Sequence, residues 1–86
     1  MTYLRCIDGP KKGEWLENQG QSYYVVIWPD GEGKAVTIRE DIPETALLQV
    51  EYCRKSLKTG ERVYALTPVS RIEWAEWKAN QHAKTN

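Results

Sequence analysis

The run Ser22-Tyr23-Tyr24-Val25-Val26-Ile27-Trp28 constrains the fold of this chain more than any other stretch. After Ser22 every residue is aromatic or β-branched, the types that favour a pleated, half-buried strand. Side chains alternate across a strand, so Tyr23, Val25 and Ile27 share one face and Tyr24, Val26 and Trp28 the other. Both faces are apolar. A strand of that kind is central in its sheet or covered on its second side. The rest of the chain must supply those neighbours and that cover.

Eighty-six residues make one domain, 1–86, with one core. A chain this short buries only about 60% of its unfolded surface, so each large side chain matters. Four Trp and five Tyr with no Phe form an unusual aromatic set. Trp and Tyr carry a polar handle and suit positions where one side of the ring stays wet.

Short β-type runs and turn signals alternate from Thr2 to Thr67. Residues 2–7 (TYLRCI) read as a strand, 8–13 (DGPKKG) as a turn and 14–18 (EWLEN) as a second strand. After the 22–28 strand, 29–33 (PDGEG) turns the chain into 34–40 (KAVTIRE). Residues 41–46 read as a loop or a single helical turn, because Pro43 suits a first helical position. A long strand at 47–57, a turn at 58–61 and a return at 62–67 form a further hairpin. The expected fold is α+β: an antiparallel meander or small barrel-like sheet of five to six strands with one C-terminal helix.

That helix is expected from Arg71 to about His82. Ser70-Arg71-Ile72-Glu73 has the spacing of a capping box, and Val69 with Trp74 the spacing of a hydrophobic staple. At about 100° per residue the helix carries two apolar stripes. Ile72, Ala75, Ala79 and Ala83 lie on one, Trp74 and Trp77 nearly opposite. Two Trp bury far more area than alanines, which tolerate water, so the Trp stripe is expected to face the core. The alternative leaves the Trp pair for a partner.

Most catalytic chemistries lack their residues. His82 is the only His and lies near the end of the chain, so a rigidly held Ser-His or Cys-His couple is not expected. One His and two distant Cys do not make a metal site, and no cofactor is implied. Asp30-Gly31-Glu32-Gly33-Lys34 departs from a Walker loop in its glycine spacing and leads into a strand, so it reads as a hairpin turn. No apolar run approaches the roughly 18 residues of a membrane span. The N-terminal residues hold Arg5 and no apolar core, so no secretion signal is expected, and Cys6 and Cys53 are expected to be free thiols in a reducing cytoplasm.

Two binding surfaces remain. Lys11, Lys12, Arg54, Lys55, Lys58 and Arg62 would form a basic patch for single-stranded nucleic acid, with Tyr52 or Tyr64 available for stacking. Twelve Lys and Arg balance twelve Asp and Glu, which weighs against it. The surplus aromatics Trp15, Trp28, Trp74 and Trp77 are the residue type that dominates protein interfaces. A non-enzymatic protein-interaction module, acting on a partner or on a second copy of itself, is the leading expectation.

The segment Cys6-Ile7-Asp8-Gly9-Pro10-Lys11-Lys12-Gly13 carries Cys-x-x-Gly-Pro-x-x-Gly, a strand–loop–strand signature with its lysines expected at a wet tip. With the Tyr52–Leu66 hairpin, it resembles small phage- and prophage-encoded proteins of mostly unknown role. The resemblance implies a viral or prophage origin and a bacterial cytoplasmic setting; in that setting the interaction module would be an accessory or host-modulating protein. It carries over no catalytic residue, and the Trp-bearing helix has no counterpart in it.

Overall fold

The computed structural model describes residues 2–84. Six strands form one curled sheet: β1 (Tyr3–Cys6), β2 (Trp15–Glu17), β3 (Ser22–Ile27), β4 (Gly33–Val36), β5 (Leu48–Ser56) and β6 (Arg62–Leu66). One helix follows, α1 (Pro68–Lys84). The spatial order is β2-β1-β6-β5-β3-β4. The α+β half-barrel with a C-terminal helix is as the sequence indicates. All pairings are antiparallel except β1–β6, which is parallel. That exception follows from the crossover at 37–47, which returns the chain to start β5 in the same direction as β4 and so sets β6 running with β1.

The 22–28 run behaves as its composition requires. β3 lies between β5 and β4, and Val25 and Val26, on opposite faces, are both 0% exposed. The inner face holds the core of Leu4, Cys6, Tyr23, Val25, Val50, Tyr52, Tyr64 and Leu66. On the outer face, Arg39 of the crossover lines the same recess as Tyr24, Gln49 and Glu51, which places that connection over the β3–β5 half.

Two loops close the mouth of the half-barrel, and tyrosines hold them there. The Tyr52 hydroxyl donates to the Asp8 carbonyl and accepts from the Lys11 N–H at 2.9 Å. Tyr64 donates to the Gly20 carbonyl at 2.7 Å, and Tyr23 to that of Glu17. Tyr23 and Tyr64 meet edge to face with centroids 4.9 Å apart. The Gly9–Lys11 turn fits so closely that a Cβ on Gly9 would sit 2.6 Å from Leu66 Cδ1 and from the Tyr52 oxygen.

Several local expectations are corrected. The helix starts at Pro68, three residues early, because Thr67 rather than Ser70 is the N-cap: its Oγ1 accepts the Ser70 N–H at 3.2 Å. Pro68 then occupies the first helical position, where its missing N–H costs nothing. Ser70 instead accepts the Glu51 N–H at 2.9 Å, a strand donor that β6 ends too soon to meet. Val69 is 67% exposed, so it forms no staple. The strand expected over 34–40 ends at Val36, and a short helical turn at Arg39–Asp41 follows it, while 42–46 form a loop in which the Ala46 N–H meets the Pro43 carbonyl at 3.2 Å. Of the two helix stripes, the Trp one turns inward: Trp74 packs on the core while Ile72 is 62% exposed. The side chains of His82 and Ala83 lie outside the described residues.

Candidate protein-binding surface

The 7–14 loop that plugs the mouth also sets the orientation of β2. Cys6 donates its N–H to the Glu14 carbonyl at 2.8 Å and accepts the Gly13 N–H at 2.9 Å. Two residues thus oppose one, with Gly13 at φ +87°: a glycine β-bulge. It fixes the pairing as Leu4 with Leu16, Arg5 with Trp15 and Tyr3 with Glu17. A slip of one residue would exchange the faces. In this register Leu16 packs against the core and Trp15 points outward.

The outer face of the β1–β2 margin therefore carries Tyr3, Arg5, Trp15 and Glu17 together. Trp15 is 58% and Tyr3 53% exposed. A row continues inward in register from Trp15 through Arg5 and Val63 to Lys55. Val63 is fully buried beside its two long basic neighbours, whose stems can shield it. Arg5 Nη2 pairs with Glu61 at 3.1 Å, while its Nε is buried without a partner. The result is a wet aromatic pair set beside a partly neutralised guanidinium.

The other aromatic candidates lie elsewhere. Trp28 lines a recess of about 250 Å³ with Asp30, Glu32 and Lys34 at the β3–β4 turn. Trp74 and Trp77 stack on each other, centroids 5.2 Å apart, both half-buried. The Trp77 indole N–H is buried without an acceptor. The four Trp are thus one exposed residue, one turn residue and one helical pair.

The basic candidates do not assemble into one patch. Lys11 and Lys12 sit in the loop at the β6 C-terminal end, whereas the 57–61 turn caps the opposite end. Lys11 is not at a wet tip: its side chain is 17% exposed, and its ammonium donates to the Gly33 carbonyl at 3.3 Å and lies 3.7 Å from Glu14. Arg54 is half-buried against Asn18 at 2.9 Å, on the face of Tyr64. Lys55 projects from the other face, Arg62 shares the face of Ser56, and Lys58 is exposed in the turn. Tyr52 and Tyr64 are 0% exposed, which leaves neither for base stacking.

Asp8 is a structural hub that sequence reading assigned only to a turn. Its carboxylate accepts the Leu66 N–H at 2.8 Å through Oδ1 and meets Arg71 at 3.0 Å through Oδ2. It joins loop, β6 and helix.

Cys6 is buried, and that burial, reinforced by the Glu14 carboxylate and opposed by Lys11, pushes its thiol up to about 11. It is a poor nucleophile. Cys6 and Cys53 are both free. Among the described residues no group of three metal-ligating side chains comes together, and no helix is long and apolar enough to cross a membrane. No protein-family model, curated protein or solved structure matches the chain.

Proposed function

We propose that this chain is a non-enzymatic protein-interaction module whose contact surface is the outer β1–β2 margin, with Trp15 as its centre. The observation that carries this reading is the exposure of Trp15 and Tyr3, 58% and 53%, diagonal to each other on one face of a strand margin fixed by a glycine bulge. Rigid, amphipathic rings presented from a regular element are the groups that dominate interface energetics. Arg5 adds a charge to the centre of the surface and Glu17 one to its rim. The division of the basic residues between two ends and two faces favours a protein partner over a nucleic-acid strand. A bacterial cytoplasmic setting fits two unpaired thiols, and an accessory role in a phage or prophage rests on the N-terminal motif alone.

The test is binding by the intact chain and its Trp15→Ala and Tyr3→Ala variants, with far-UV circular dichroism confirming that each folds. Loss of at least tenfold in affinity for a captured partner on Trp15→Ala supports the reading, since a central aromatic contact removed is worth about 2 kcal/mol or more. Unchanged affinity in both variants refutes it.

A further inference from the structure

We infer that the partner of the β1–β2 margin is a second copy of this chain, added antiparallel along β2 with the two Trp15 residues opposite each other. The inference rests on the protein-interaction reading and names its partner.

Backbone direction supplies the first argument. The Cys6–Glu14 and Thr2–Asn18 bonds set the alternation of the β1–β2 ladder, in which the Leu4–Leu16 pair is hydrogen-bonded and Arg5–Trp15 and Tyr3–Glu17 are not. The N–H and C=O of Trp15 and Glu17 therefore point away from β1, along the open margin. The Glu17 carbonyl is already taken by the Tyr23 hydroxyl, which crosses the core to reach it. Trp15 keeps both a donor and an acceptor. A strand that offers one of each at a single residue is self-complementary: two copies related by a two-fold axis exchange Trp15 N–H for Trp15 C=O in both directions.

Side chains agree with that register. Trp15 faces the second copy's Trp15 on the outer face, which extends each Trp15–Arg5 row into a continuous Arg–Trp–Trp–Arg row. Glu17 falls opposite the second copy's Gly13, next to its exposed Lys12, and the reverse pair repeats it. A chain with balanced charge adds no long-range repulsion between copies. The opposite margin is less open: at β4 the Gly33 carbonyl already accepts the Lys11 ammonium. An uncovered edge donor and acceptor beside an exposed Trp is the arrangement that invites strand addition.

Two measurements on the full chain test this. Sedimentation equilibrium should give twice the chain mass at high micromolar concentration, falling twofold to the monomer for Trp15→Pro. Proline there removes the outward N–H together with the indole and leaves the pairing with β1 intact, and circular dichroism checks that the fold survives. In a Cys53→Ser background, and at a concentration raised at least about tenfold to offset the lost indole, Trp15→Cys should form an intermolecular disulfide on mild oxidation, because facing hydrogen-bonded residues lie about 5.5 Å apart at Cα, whereas Lys55→Cys should not. A wild-type chain that stays monomeric overturns the inference, as does a dimer that persists in folded Trp15→Pro. If that monomer still binds another protein through Trp15, only the identity of the partner is wrong. If it binds none, the interaction reading falls with it.

Discussion

Three buried tyrosine hydroxyls are spent on backbone carbonyls at the rim of the core, two in loops and one at the end of β2. The aromatic set without Phe is explained at these positions: each ring fills the interior and each hydroxyl anchors a loop or the end of β2. Tyr52 is the busiest, bridging the Asp8 carbonyl and the Lys11 N–H. Tyr52→Phe should therefore cost about 1–3 kcal/mol in urea denaturation, the penalty of leaving buried groups unpaired. The two positive-φ glycines of the same loop should separate cleanly. Gly13→Ala meets no atom within 4 Å and should cost only the left-handed backbone, about 1–2 kcal/mol. Gly9→Ala adds a collision with Leu66 and Tyr52 at 2.6 Å and should cost about 2–5 kcal/mol.

At the scale of the element, the helix start shows how a local motif is overruled by its neighbourhood. Ser70-x-x-Glu73 has capping-box spacing, but the Ser70 hydroxyl is needed by the unpaired Glu51 N–H, so the cap passes to Thr67. Thr67→Ala should lower stability by about 1 kcal/mol. Glu73→Ala, which a Ser70 box would make costly, should stay within about 0.5 kcal/mol. Thermal unfolding of the two variants side by side distinguishes the assignments. β2 makes the same point: three residues long, it owes its register to the bulge at Gly13, without which Leu16 and Trp15 would exchange faces.

For the whole molecule, burial of acidic hydrogens sets an upper pH limit. Desolvation raises Cys6 from its ordinary 9.0 to about 11, and raises Tyr23, Tyr52 and Tyr64 above 10.0. The folded state holds these protons more tightly than the unfolded chain does. Their contribution is thus fully present below about pH 9 and is lost as pH rises through the folded values. Stability measured by urea denaturation should fall steadily from pH 9.0 toward 11. The tyrosine absorbance change of the three buried rings should come at higher pH in the folded chain than in the urea-unfolded one.

Sequence alone determined the strands, the helix and the central place of 22–28, because period-2 and period-3.6 patterning and turn chemistry are local properties. It favoured the helix stripe that turns inward, since two indoles outweigh several alanines in buried area, but left a partner as the alternative cover. It did not determine the parallel β1–β6 pair, the roles of Asp8 and Lys11, or which of four Trp is exposed. Each depends on contacts between residues far apart in the chain: Asp8 with Leu66 and Arg71, Lys11 with Gly33, and Trp15 with a register set against β1. A turn aspartate, a loop lysine and a strand tryptophan look alike in any small β protein. Only the folded topology decides which of them finds a partner inside and which is left facing water.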